Sequence, residues 1–118
     1  MSHVIKLKLE IRDKDLFARV ARDLGLEIKE ASVRFFDGSY RTGLAVKLPG
    51  WTYPVLVDSE GQVTYDNYGG HWGNITELNR LTQEYVARLV EREAVLSGQF
   101  AVRQTQADGS LVIRVGGW

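Results

Sequence analysis

The sequence predicts an α+β fold in the order β-α-β-β-β-β-α-β-β, a mainly antiparallel sheet with two helices packed on one face. Three observations predict it. Apolar alternations of period two recur along the chain, punctuated by turn residues. Only two stretches, one after Asp13 and one after Asn74, carry an apolar stripe at helical spacing. The central strands follow one another through turns rather than alternating with helices, which argues against a parallel α/β sheet.

Ile5, Leu7, Leu9 and Ile11 alternate with Lys6, Lys8 and Glu10, a half-buried strand with one wet face. Asp13 offers an N-cap, Leu16, Phe17, Val20, Ala21 and Leu24 share one helical stripe, and Gly25 supplies a left-handed stop. Ala31, Val33 and Phe35 form the second strand, the Asp37-Gly38-Ser39 turn follows, and Leu44, Val46 and Leu48 form the third, ended by Pro49-Gly50. Tyr53, Val55 and Val57 make a fourth. Pro54 lacks a ladder donor, so this strand is expected at an edge or with a bulge. Ser59 to Gln62 turn the chain into a fifth strand at Val63, Tyr65 and Asn67. Asn74 with Glu77 reads as a capping pair for the second helix, which Gly98 ends. Phe100 and Val102 open the sixth strand, Asp108-Gly109 signals a hairpin, and Leu111, Ile113 and Val115 close the seventh.

At 118 residues the chain reads as a single domain, 1–118, large enough to bury a core without staples. Fifteen basic residues balance fifteen acidic ones, so the basic excess that usually accompanies broad nucleic-acid binding is missing and none is expected. The lack of cysteine removes disulfides, thiolate catalysis and cysteine zinc sites. Charges interrupt the apolar residues of Met1-Ser2-His3-Val4-Ile5-Lys6-Leu7-Lys8, which leaves no signal-peptide core. No stretch approaches the ~20 apolar residues of a membrane helix. The expectation is a complete, cytoplasmic protein without a membrane partner.

The candidate site is the loop between the fifth strand and the second helix: Asp66, Asn67, Tyr68, Gly69, Gly70, His71, Trp72 and Gly73, following Tyr65. Loops held by a rigid scaffold concentrate binding groups. Four chemistries bear on it. His3 and His71 are the only histidines, and Asp66 with His71 falls short of the three or four ligands a zinc site takes, so no metal and no cofactor is expected. Asp66, His71 and Thr64 or Thr76 lack a nucleophile elbow, so no catalytic residue is assigned. Gly69-Gly70-x-x-Gly73 precedes a helix start, where free amides suit anions, but no Walker lysine follows and the glycines serve first as a sharp turn. Tyr53 and Tyr65 belong to apolar alternations and read as core. Trp51, Tyr68 and Trp72 lie in turns, where rings cap a sheet or meet a partner. The closing Gly116-Gly117-Trp118 would need trimming to serve as a Gly-Gly modifier tail, and the strand order does not suit that fold.

Several of these segments together resemble one family. They are Met1-Ser2-His3, Leu24-Gly25-Leu26, Pro49-Gly50 with Tyr53-Pro54-Val55, Tyr65-Asp66-Asn67-Tyr68-Gly69-Gly70-x-Trp72-Gly73, Gln83-Glu84-Tyr85 and Asp108-Gly109-Ser110. The family is the domain of unknown function numbered twelve fifty-seven, with the hypothetical chloroplast reading frame thirty-five proteins. The resemblance spans essentially the whole chain and implies a small soluble protein of bacteria, their phages, cyanobacteria or the plastid stroma. It carries no established activity and no catalytic residues. It implies an accessory role near ATPases of the AAA type. The resulting expectation is a non-enzymatic interaction module with a protein partner, and with self-association through an edge strand left open. The alternative is a small-molecule or nucleotide binder, or an enzyme, using the glycine-rich loop 65–74.

Overall fold

The computed structural model describes residues 5–108 and 110–117; His3, Gly109 and Trp118 lie outside them. The elements are β1 (Ile5–Glu10), α1 (Lys14–Asp23), β2 (Glu27–Arg34), β3 (Tyr40–Lys47), β4 (Val55–Val57), β5 (Gln62–Tyr65), a short helical turn (Tyr68–Gly70), α2 (Ile75–Leu96), β6 (Phe100–Thr105) and β7 (Leu111–Gly116). This is the α+β class and the element order expected from sequence. The strands divide between two sheets rather than forming one. A five-stranded sheet runs β1-β5-β4-β3-β2, and β6 pairs with β7 alone. Every pairing is antiparallel. The chain also divides into two units, Met1–Leu81 and Thr82–Trp118, with the boundary inside α2.

In the first unit, local chemistry sets the ends of α1. The Asp13 carboxylate accepts the Leu16 amide at 2.9 Å, satisfying one free donor of the first turn. At the other end Gly25 takes φ +78, Gly25 N–H donates to Arg22 O and Leu26 N–H to Ala21 O, both at 2.9 Å. That bond pair stops a helix while satisfying its last carbonyls. The buried face of α1 is Phe17, Ala18, Val20 and Ala21, and the helix lies against β2.

Strand register sorts the five-stranded sheet into two faces. Leu44 pairs with Val57 and Val46 with Val55, and Val46, Val55, Val57 and Val63 are fully buried. A shallow groove between α1 and Glu30 and Leu44 places the helix on this face. Ala45 pairs with Leu56 on the opposite face, where Val33, Phe35, Ala45 and Leu56 form a second cluster with Ala31 and Tyr53 packed on it.

The expected edge position of the fourth strand is overturned. β4 lies between β3 and β5, and all three of its residues are buried. Pro54 stands one residue before the strand, so its missing N–H is outside the ladder and imposes no edge. The irregularity falls in β1 instead, where the register against β5 shifts between Leu7 and Glu10. β2 also begins four residues earlier than the Ala31 alternation indicates, because Glu27 through Glu30 continue the ladder without a slip.

In the second unit, Tyr85, Ala87 and Ala94 are buried on α2. Gly98 at φ +71 stops the helix, with Gln99 N–H donating to Ala94 O at 2.7 Å. Arg103 on β6 grips two carboxylates one side of α2 apart, Glu84 at 2.7 Å and Glu91 at 2.6 Å, and so ties hairpin to helix. Among the described residues no helix is long and apolar enough to cross a membrane.

Candidate functional site

The loop after β5 is built on two buried polar residues. Asp66 is fully buried; its Oδ1 accepts the Tyr68 amide at 3.3 Å, and its Oδ2 has no hydrogen-bond partner among the described residues. Asn67 is 7% exposed and braces the loop from inside. Its carbonyl accepts the amides of Gly70 at 3.0 Å and Trp72 at 2.9 Å, and its Nδ2 donates to Gly73 O at 3.3 Å. The side-chain bond is the one that needs an asparagine, and it satisfies the carbonyl of the buried Gly73.

The next three residues all have positive φ: Tyr68 +48, Gly69 +61 and Gly70 +101. Two are glycines, for which that region is free of steric penalty. Tyr68 is the one described non-glycine residue there. Its ring stacks on Trp72 with centroids 4.8 Å apart and planes at 30°, and the His71 ring lies 5.0 Å from it. Trp72 in turn meets Tyr53 edge-on at 5.6 Å and Phe36 at 5.1 Å. Offset and tilted ring pairs of this kind are the favourable arrangements for aromatic quadrupoles. Phe36 is 63% exposed, so the cluster opens to solvent.

The segment from Trp51 to Pro54 holds the loop from the other side. Thr52 N–H donates to Trp72 O at 2.8 Å, and Trp51 Nε1 donates to Asn74 O at 3.1 Å. Trp51 is buried and meets Tyr65 edge-on at 5.7 Å, and burial pushes the Tyr65 phenol up. Asn74 then starts α2, its Oδ1 accepting the Thr76 amide at 3.0 Å. Between β2 and the Trp51–Pro54 segment an open groove of about 520 Å³ has Ala31, Val33 and Ala45 among its lining.

Tyr68, His71 and Trp72 therefore come together in one ring stack, while Asp66 and Asn67 sit buried and shape the loop. Gly69 and Gly70 are exposed and permit its turn, and Gly73 is buried. His71 is exposed and Asp66 is not, so the two sequence neighbours do not share a surface. Among the described residues no three His, Cys, Asp or Glu side chains gather closely enough to hold a metal ion. Phe36 and Tyr53 join the cluster without having been singled out for it. The Phe35-Phe36 doublet is the signal that points to the former: Phe35 is buried, while Phe36 stands in the turn that follows β2 and is exposed. No family model, curated protein or solved structure matches this chain.

Proposed function

We propose that this chain is a non-enzymatic interaction module that docks a protein partner on the ring surface of Phe36, Tyr53, Tyr68 and Trp72. The observation that carries the reading is Tyr68. A tyrosine in the left-handed region costs conformational energy that a glycine would not, and such strain gathers at binding sites. Here it turns a ring onto Trp72 beside the exposed Phe36. Tyr and Trp are also the residues that most often dominate binding energy at protein interfaces. The family resemblance of the Tyr65 to Gly73 segment directs the search toward an AAA-type ATPase assembly in the cytoplasm, or in the stroma for a plastid host.

The test uses a photo-crosslinking residue at Phe36 in the otherwise wild-type chain and in a Trp72→Ala background, each expressed in the native host. A specific crosslink to one partner that Trp72→Ala abolishes supports the reading. The same crosslinked species at equal yield in both backgrounds removes the ring surface from it.

One observation favours a second reading, a small-molecule binder at the loop. The Asp66 Oδ2 is buried without a hydrogen bond from any described residue, and such an atom favours a ligand that donates one. A thermal-shift screen of amines, nucleosides and divalent metals tests it, since ligand at 100 times its Kd adds about 2.7 kcal/mol. A ligand whose shift disappears in Asp66→Asn supports this reading; a screen without shifts counts against it.

A further inference from the structure

β2 is an edge strand whose outward row is complementary to itself. It is the last strand of its sheet, so one side of its backbone faces away from β3. The phase of the ladder follows from Phe35, whose N–H donates to Ser39 O at 2.9 Å. Bonded and non-bonded pairs alternate along an antiparallel ladder. Val33, Ala31 and Lys29 thus exchange bonds with β3, and Ile28, Glu30, Ser32 and Arg34 direct their amides and carbonyls outward. The pairing of all eight residues runs without a slip, so the phase holds along the strand. The Ser32 and Thr42 hydroxyls, 2.7 Å apart, fit the closer side-chain approach of a non-bonded pair.

We propose that β2 pairs antiparallel with β2 of a second copy of this chain, about a two-fold axis at Ser32, joining the two five-stranded sheets into one. In this register Ser32 meets its own counterpart. Glu30 faces Arg34 of the second copy on one face of the joined sheet, and Ala31 faces Val33 on the other, each twice by symmetry. Glu30 and Arg34 are exposed in the single chain. Ala31 and Val33 belong to the cluster with Phe35, Ala45 and Leu56, so the apolar face continues across the join.

Charge selects the register. An axis at Ala31 sets Arg34 against Ile28 and Glu30 against Ser32, and both ion pairs are lost. An axis at Glu30 brings two carboxylates directly opposite each other, which repels. Charged side chains on an edge strand normally discourage pairing with another chain. Here the same charges discourage the neighbouring registers and favour this one. This edge borders the ring cluster proposed for the protein partner, since Tyr53 packs on the cluster of Ala31 and Val33 and Phe36 follows Arg34 by two residues, but Tyr68 and Trp72 lie outside the paired strand.

The test is sedimentation equilibrium from micromolar to millimolar concentration, with circular dichroism confirming that every variant keeps its fold. Wild type is expected to dimerise. Glu30→Arg alone and Arg34→Glu alone each place like charges opposite one another and weaken the dimer by about tenfold or more. An equimolar mixture of the two single variants regains association, because every altered side chain then meets an opposite charge, and so does the double variant. Trp72→Ala associates as wild type does, which separates this outcome from the fate of the ring surface. The proposal is overturned by a wild type that stays monomeric throughout, by single variants as tight as wild type, or by a mixture that fails to recover. A monomer that instead takes up an added extended peptide along β2 also overturns it, in favour of a foreign strand.

Discussion

Gly73 lies directly against the indole of Trp51: a Cβ placed on it would stand 2.4 Å from the ring. The contact joins the two loops that build the candidate site, and Trp51 is too tightly held to give way, being buried and bonded through Nε1 to Asn74 O. Gly73→Ala is therefore expected to lose about 1–3 kcal/mol of stability, the usual range for overpacking. Urea denaturation measures it. Gly117→Ala, with nothing within 4 Å of its added carbon, is the control and should shift stability by less than about 0.5 kcal/mol.

Gly61 combines two restrictions that occur separately elsewhere. Its φ is +84, and an added Cβ would meet the Ile11 carbonyl oxygen at 2.4 Å. Ile11 N–H also donates to Gly61 O at 2.7 Å, so the two backbones cannot separate without losing a bond. Gly50 shares the positive φ, +76, but has open space around it. Gly50→Ala should cost about 1–2 kcal/mol for the left-handed backbone alone. Gly61→Ala should cost clearly more, and thermal melts of the two variants side by side decide whether the close approach matters.

Tyr68→Gly separates backbone strain from ring chemistry. Glycine removes the left-handed penalty but also the stack on Trp72, terms of about 1 kcal/mol each and of opposite sign. Global stability should move by less than about 1 kcal/mol, while the crosslink from Phe36 to a partner falls away. A variant that unfolds would show the ring to be a structural prop instead.

Arg103 offers a prediction with a pH sign. Its guanidinium holds the Glu91 carboxyl below its ordinary value of 4.5, chiefly by hydrogen bonding, and its own pKa is raised by the same contacts. A carboxylate whose folded pKa is depressed adds stability that is complete above the unfolded pKa and is lost as pH falls through the folded one. Arg103→Ala should cost roughly 1 kcal/mol at neutral pH, since the pairs are partly exposed and screened. That difference from wild type should shrink toward zero below the carboxylate range and in high salt. Amide exchange across β6 and β7, compared at neutral and acid pH, locates the loss in the hairpin.

Helix ends and turns are the most legible features of this sequence, because their chemistry is local. Asp13, Gly25, Asn74 and Gly98 each act within a few residues, and the structure shows the corresponding bonds. Sheet order is not local. Pro54 reads as an edge marker only if it lies inside the strand, and one residue decides that. Trp51 looks like a turn aromatic, yet it is buried because Gly73, far along the chain, has no side chain to keep it out. The site loop was legible as a segment, whereas the burial of Asp66 and Asn67 beneath it and the arrival of Phe36 depend on contacts that spacing does not encode.

The pairing of β1 with β5 sets an order on the chain as it leaves the ribosome. Ile5 finds its ladder partner only at Tyr65, while β2, β3 and β4 meet through neighbouring turns. Closing so long an interval is entropically costly, and distant pairings of this kind slow folding. The first strand made must wait, unpaired, for the last strand of its sheet. Nascent chains halted before Gln62 would hold β1 without its partner, and those extended past Tyr65 have all that the five-stranded sheet requires.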